Sequence, residues 1–186
     1  MKDIIEKMKK KGIKFDKGLT EEEFEKINNI YGFTFPKEIK EFLSIALPIN
    51  KGFYNWRDFS DKNVNHIKDF QKTYIEDGFE FDIEKNNLLD DFRKKFPKCK
   101  NDEELKIEVL KYLHSSPRLI PFFKHRCFFD GLDNMPIISF WQPTDMIFYG
   151  DDLKDYIEVE FFDKNGTNEI PKEKINKMGI WSDLLS

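Results

Sequence analysis

The sequence predicts a single α+β domain, and three observations support this fold class. The chain has 186 residues, a usual length for one domain. Apolar residues make up 39% and charged residues 35%, a balance typical of a globular protein with a buried core. Segments with helical spacing of apolar residues come first, and short aromatic runs separated by turn residues follow. This order indicates an antiparallel or mixed β-sheet flanked by helices.

Two segments near the N-terminus predict helices with clear starts and stops. In "GLTEEEFEKINNIYG", Thr20 is placed to cap a helix, Glu23 can close a capping box, and Gly32 is the expected stop. In "FTFPKEIKEFLSIALP", Pro36 suits the first helical position and Pro48 marks the end of the helix. Ala46 lies within these limits and belongs to the predicted apolar face that the helix buries.

The middle of the chain predicts three further helices. The first runs over residues 60–74 with Ser60 as its cap, and the second over residues 82–96. The third follows Asn101, with Glu104 in the position of a capping box.

After Pro117 the pattern changes to that of strands. The runs "RLIPFFKHRCFF", "MPIISFWQ" and "DMIFYG" predict three neighbouring antiparallel strands with one buried face, separated by the turn segments "DGLDN" and "QPT". "DDLKDYIEVEFF" returns to helical spacing, with Asp151 or Asp152 as its cap. "DKNGTNEIP" is a predicted loop, and "GIWSDLL" closes the chain with Trp181 against the body.

The charge is unevenly distributed along the chain. The net charge is −4, but residues 1–18 contain seven lysines and three acids, whereas residues 130–163 contain nine acids and a single lysine. An acidic surface repels nucleic acid and favours a basic partner. Alternatively, some of these acids only solvate a helix face.

Features of other protein classes are missing from the sequence. No apolar run approaches the 18 residues of a membrane-spanning helix, and the basic N-terminus lacks the apolar stretch of a secretory signal. The two cysteines, Cys99 and Cys127, lie in unrelated contexts without the spacing of a metal site. We therefore expect a reduced, cytoplasmic protein.

Catalytic patterns are weak. His125 and Cys127 would share one face of a strand and could meet as a catalytic pair, but no nucleophile motif surrounds them, and a cysteine in such a run is commonly a small core residue. The three histidines are far apart, the glycines form no phosphate-binding loop, and the N-terminal lysines are not interleaved with aromatic residues.

Five segments of the chain form a recognisable series: "LTEEEFEKINNIYGFTFPKEIKEFL", "GFYNWRDFS", "LIPFFKHRCFF", "PIISFWQPTDMIFYGDDLKDYIEVEF" and "IWSDLL". Taken in this order, they resemble the SUKH superfamily, which groups bacterial immunity proteins of polymorphic toxin systems with fungal regulators of cell-wall glucan synthesis. The similarity covers residues 19–184 and leaves residues 1–18 as an N-terminal helical extension with a predicted helix over residues 1–11. The chain departs from the family pattern at "LPINKG", where many relatives carry Asn-Gly, and in the short loop "DGLDN".

The resemblance implies an α+β domain without enzyme activity, catalytic residues, cofactor or metal, which acts by binding another protein. For bacterial members it implies neutralisation of a cognate toxin, often a nuclease. For the fungal branch it implies a general interaction or regulatory module with no toxin partner. We expect no direct contact with nucleic acid or a membrane. The sequence leaves the oligomeric state open between a monomer and a weak dimer.

A nuclease site is generally basic because it attracts phosphates, so the acidic segment predicts an interface with such a toxin. The hypothetical partner-binding residues are Asp130, Asp133, Asp151, Asp152 and Asp155, with Tyr54, Trp56 and Trp141 as aromatic anchors. The alternative is that Trp56 and Trp141 are core residues.

The segment "NKGFYNWRDFSDKNV" predicts a junction between the N-terminal and central helices. Phe53 and Trp56 are expected to fill the core, and Arg57 to pair with an acid or with main-chain carbonyls. Whether Tyr54 or Trp56 also reaches a partner depends on how deeply each side chain is buried.

Overall fold

The first 48 residues form three helices around a small two-stranded sheet. The computed structural model describes residues 1–166 and 170–185. Its first elements are α1 (Lys2–Lys10), β1 (Phe15–Lys17), α2 (Glu21–Tyr31), α3 (Lys37–Ile45) and β2 (Ala46–Pro48). Strands β1 and β2 pair antiparallel. Helix α1 buries Ile4, Ile5 and Met8, so the predicted N-terminal extension packs into the body of the protein.

The predicted ends of α2 are confirmed. The Thr20 side chain accepts a hydrogen bond from Glu23 N, and the Glu23 carboxylate accepts one from Thr20 N, which completes the capping box. Gly32 ends the helix in the left-handed region, with φ +66°.

The end of α3 differs from the prediction. Pro36 precedes the helix as its cap residue, and the helix stops at Ile45. Ala46 lies in β2, because its extended backbone pairs with Lys17 of β1. Lys17 and Ala46 are 29 positions apart in the sequence, and no local signal in either segment predicts their pairing.

One long helix occupies residues 61–85. It consists of α4 (Asp61–Asp69), a π-helical segment (Phe70–Glu76) and α5 (Asp77–Lys85). The Ser60 cap is confirmed. The predicted stop near residue 74 is wrong, because the chain passes through a wider π turn in which Asp77 N donates to the carbonyl five residues back, at Lys72.

The predicted helix over residues 82–96 is also wrong. Residues 82–85 belong to α5, and only α6 (Leu89–Phe92) is helical in the remainder. Leu88, Leu89 and Phe92 are nevertheless buried, so the apolar pattern indicated core positions correctly but not the element. Helix α7 (Asp102–Ser115) begins at the predicted cap, Asn101, whose side chain accepts a hydrogen bond from Glu104 N.

The main sheet has four strands rather than three. Its order is β3 (Leu119–Phe123), β4 (Arg126–Phe129), β5 (Ile137–Gln142) and β6 (Asp145–Gly150), with all neighbours antiparallel. The run "RLIPFFKHRCFF" is a hairpin that turns at Lys124 and His125, between the paired residues Phe123 and Arg126. Lys124, His125 and Arg126 do interrupt the apolar run, but none of them is a residue that usually marks a tight turn.

Strands β3 and β4 and the first part of β5 are buried on both faces, whereas β6 exposes alternate residues such as Ile147. Along β4, Phe128 packs into a first core with the N-terminal helices, whereas Cys127 and Phe129 pack into a second core with α5, α6 and α7. In β5, Ile137 packs into the first core and Ile138 packs into the second core. Burial of both faces explains why β3, β4 and the start of β5 are nearly continuous apolar runs without polar alternation.

Three helices complete the fold. They are α8 (Leu153–Phe162), α9 (Lys172–Ile175) and α10 (Ile180–Leu184). Asp152 caps α8, as one of the two predicted alternatives. Trp181 is buried as predicted, and its indole N–H donates to the Pro117 carbonyl at 2.6 Å. The predicted loop before α9 includes residues 167–169, which lie outside the described residues.

The arrangement is a single α+β fold with an antiparallel sheet between helical layers, as the sequence predicts. None of the helices within residues 1–166 and 170–185 is long and apolar enough to span a membrane.

Candidate interaction surface

The acids predicted to face a partner are engaged within the chain. Asp130 accepts hydrogen bonds from Thr34 N and from the Arg118 guanidinium, and Asp133 accepts from the main-chain N and the ammonium of Lys37. The Lys37 ammonium holds the pKa of the Asp133 carboxyl below its usual range. These two acids fasten the loop between β4 and β5 to the α2–α3 connection.

The other three acids organise the start of α8. Asp152 accepts from Asp155 N as the cap, and Asp155 accepts from Asp151 N and from Lys164. Asp151 pairs with the buried Lys174 of α9 at 2.9 Å. Each of these carboxylates therefore has a structural role, whether or not it also meets a partner.

The charge of residues 130–163 is largely compensated by basic side chains from elsewhere in the chain. Six of its nine acids form ion pairs: Asp130–Arg118, Asp133–Lys37, Asp151–Lys174, Asp155–Lys164, Glu158–Lys7 and Glu160–Arg126. The folded segment is much less acidic than its sequence suggests, which weakens the charge argument for a basic partner.

The three predicted aromatic anchors lie in different environments. Trp56 is 2% exposed and packs against Phe33 and Phe35 in the first core, so it is not available as an anchor in this conformation. Tyr54 is half-buried, and its hydroxyl donates to the Lys124 carbonyl at 2.9 Å. Trp141 is 53% exposed, so its alternative assignment to the core is wrong.

Trp141 borders a groove of about 260 Å³, which we call the aromatic groove. The groove lies between the long helix, the β3–β4 turn and the end of β5. Its lining residues are Gly52, Phe53, Tyr54, His66, Phe70, Tyr74, Lys124, His125 and Trp141.

The rings of the groove support one another. The Trp141 ring meets Tyr74 edge-on at 5.7 Å and His125 edge-on at 5.7 Å. Tyr54 stacks on His66 with ring centroids 5.6 Å apart. Such contacts restrict ring movement, so the exposed indole is held in place before any partner arrives.

The π-helical segment supplies part of this wall. Phe70 and Tyr74 stack on each other at 5.3 Å, and both line the groove. A π turn is rare and occurs frequently at functional sites, because it redirects side chains that a regular helix would place elsewhere.

The hairpin tip forms the basic rim of the groove. Lys124 N donates to the Gly52 carbonyl at 2.7 Å, which clamps the turn to the Tyr54 segment. Lys124 adopts φ +53°, a left-handed conformation that costs an L-residue about 1 kcal/mol and suits Gly or Asn better. Gly52, at φ +107°, has no room for a side chain, since a Cβ would lie 2.7 Å from the Phe123 ring.

His125 and Cys127 do not form the strand pair considered from the sequence. His125 lies in the turn, and the Cys127 Sγ lies 3.6 Å from the His125 carbonyl oxygen. Cys127 is fully buried, and this burial raises the pKa of its thiol well above the usual value. Burial and the nearby cations Arg126 and Lys124 lower the pKa of His125. A thiol with a raised pKa is a poor nucleophile.

A largely shielded ion pair lies next to the hairpin turn. The Arg126 Nε pairs with Glu160 at 3.2 Å, its Nη1 donates to Ser139 Oγ and contacts the His125 ring, and its guanidinium stacks on Tyr149 at 4.0 Å. Arg126 is therefore committed internally, whereas Lys124 beside it forms no ion pair among the described residues.

No three His, Cys, Asp or Glu side chains within the described ranges lie close enough to hold a metal ion.

Sequence reasoning identified Tyr54 and Trp141 but not the side chains that the fold brings beside them. His66, Tyr74 and Lys124 come from a helix and a turn that are distant in sequence. The only local sign of the groove in the sequence is a lysine, Lys124, in a tight turn. That turn can be recognised only if "RLIPFFKHRCFF" is interpreted as two strands and not as one.

Comparison with known proteins gives no match, since no family model, curated protein or solved structure is significantly similar to the chain.

Proposed function

We propose that this chain is a non-enzymatic protein-binding domain, and that it acts as an immunity protein that binds and neutralises a bacterial toxin. The observation that carries the binding proposal is the aromatic groove with Trp141 held half-exposed at its edge. The toxin partner comes from the sequence resemblance to the SUKH superfamily.

The groove has the composition of a binding hot spot. Trp and Tyr are enriched among the interface residues that contribute most to affinity, because they bury a large area and lose little side-chain entropy. Trp141 and Tyr74 also contact each other, so the anchor is preorganised and loses less freedom on binding.

The acids of residues 130–163 play a smaller part in this proposal than in the sequence-based prediction. Most of them neutralise basic side chains within the fold. We therefore place the contact surface at the aromatic groove and not at the start of α8.

The experiment combines binding with protection of growth. The neighbouring genes are searched for a toxin domain, the chain is co-expressed with that domain, and the affinity of the purified pair is measured by calorimetry. The wild type is expected to bind and to restore growth. Trp141→Ala is expected to weaken binding by about 30-fold or more, as for a central hot-spot residue.

Ile107→Ala is the matched control, because Ile107 is an exposed apolar residue of α7 outside the groove. Its affinity should equal that of the wild type. A wild-type chain that neither binds nor protects contradicts the immunity proposal. Binding without protection would instead favour an interaction or regulatory module.

A further inference from the structure

We infer that the aromatic groove receives an acidic segment of the partner protein, with a carboxylate beside Lys124 and an apolar side chain against Trp141. This inference rests on the proposed protein-binding function and specifies the chemistry of the occupant. It reverses the sign of charge that the sequence alone suggested for the partner.

The charge of the groove favours an anionic occupant. None of its nine lining residues is acidic, and Lys124 among them carries a positive charge. Asp145 lies close enough to His125 to influence its titration, but it does not line the groove.

Lys124 differs from several other basic residues in its internal ion pairing. Arg57, Arg118 and Lys174 each form an ion pair within the chain. Lys124 forms none within the described residues, and its ammonium lies 4.8 Å from the centroid of the Phe123 ring. It can therefore bind an incoming carboxylate without first breaking an internal ion pair.

The backbone of Lys124 gives a second, independent observation. Its φ of +53° is unfavourable for lysine, and Asn or Gly would occupy this turn position with less strain. Strained residues occur most often at binding and active sites, where the side chain is needed despite its cost. A lysine retained at such a position is consistent with a role for its ammonium group.

Apolar surface next to this cation completes the site. Trp141 is 53% exposed and lies against His125, the neighbour of Lys124 in the turn. An acidic segment with an apolar side chain would place its two kinds of group on these two adjacent surfaces.

The first test uses the toxin domain of the preceding experiment and measures association rates at low salt. Lys124→Asn removes the charge and suits the turn, so this variant should melt at or above the wild-type temperature and associate several-fold more slowly. Lys124→Glu should associate more slowly still. The differences should disappear at 1 M salt, where screening acts over about 3 Å.

Lys98→Glu is the matched control, since Lys98 is an exposed lysine of the α6–α7 connection outside the groove. It should associate at close to the wild-type rate. Equal or faster association of the correctly folded Lys124→Glu variant would overturn the inference, because a basic occupant predicts acceleration.

The second test needs no toxin and therefore separates this inference from the proposed function. Trp56 and Trp181 are buried, so Trp141 is the exposed fluorescent reporter. Adding a peptide of four aspartates around one phenylalanine should change the fluorescence emission of Trp141. The change should be absent in the Trp141→Phe variant. An equal response to a peptide with four lysines instead would overturn the inference, even if the toxin binds.

Discussion

Replacing Arg57 by methionine removes a guanidinium that joins three parts of the N-terminal region. Its Nε and Nη2 donate to the Glu23 carboxylate at 2.6 and 3.2 Å, and its Nη1 donates to Asp16 at 2.7 Å. Nη2 also donates to the carbonyls of Lys17 and Gly18 at 3.0 and 2.7 Å. Because methionine has a similar apolar stem, the substitution removes these bonds while keeping most of the packing.

The expected loss of stability follows from how far the pair is shielded from water. Hydrogen bonds to charged groups contribute about 1.5–3 kcal/mol each when shielded, whereas exposed ion pairs contribute about 0–1 kcal/mol. The Arg57 and Glu23 side chains are 20% and 21% exposed, so solvent screening places their pair between these limits. We expect the free energy of unfolding to fall by about 2–3 kcal/mol, and the melting temperature by about 4–12 °C.

The assay is thermal and urea unfolding at pH 7, with Arg93→Met as control. Arg93 also pairs with two acids, Asp90 and Asp102, but its side chain is 49% exposed. Its replacement should change stability much less, because a solvated ion pair gains little over hydration.

The pH dependence tests the cause of the loss. The hydrogen bond from Arg57 lowers the pKa of Glu23, against the opposing effect of burial. The stability from this pair is therefore complete above the ordinary glutamate pKa of 4.5 and is lost as the pH falls through the lowered folded value. The difference between wild type and Arg57→Met should shrink over that range. A loss equal to that of Arg93→Met, or one independent of pH, would refute the reasoning.

Three further predictions concern burial. Asp82→Ala should lower the free energy of unfolding in urea by about 3 kcal/mol, because this fully buried carboxylate accepts three hydrogen bonds, two of them from Thr144. A loss below about 1 kcal/mol would contradict this prediction. Trp56→Ala should cost about 3–5 kcal/mol, whereas Trp141→Ala should leave the melting temperature nearly unchanged; equal losses would contradict the assigned burial. Burial and two nearby cations lower the pKa of His125, so the unfolded chain binds a proton at this histidine more readily than the folded chain does. The stability of the wild type should therefore fall relative to that of His125→Gln as the pH drops below about 6.5. Parallel pH profiles of the two proteins would contradict this prediction.

The helix caps were predictable from the sequence because they are local. Thr20, Glu23 and Gly32 lie within one helix and its ends, and Ser60 and Asn101 cap helices that begin at the next residue. A capping bond joins groups two or three residues apart, so its geometry follows from residue type and spacing.

The path of the chain through the middle region was less predictable. A π turn lets the helix continue beyond residue 74, and nothing in "FQKTYIE" distinguishes this from a helix end. Likewise, the hairpin turn at Lys124 and His125 contains neither Gly nor Asn, the residues that usually mark such turns. In both places tertiary packing outweighs weak local preferences.

The sequence by itself determined the α+β class, the main capping sites, the buried apolar positions and the role of Arg57 as a pairing residue. Only the tertiary structure decided which acids are neutralised, that Trp56 is buried while Trp141 is exposed, and that Lys124 lines one groove with aromatic residues of the long helix. The physical reason is the distance along the chain between the groups that interact. Caps and apolar periodicity depend on neighbours along the chain, whereas ion pairs and grooves depend on groups that only folding brings together.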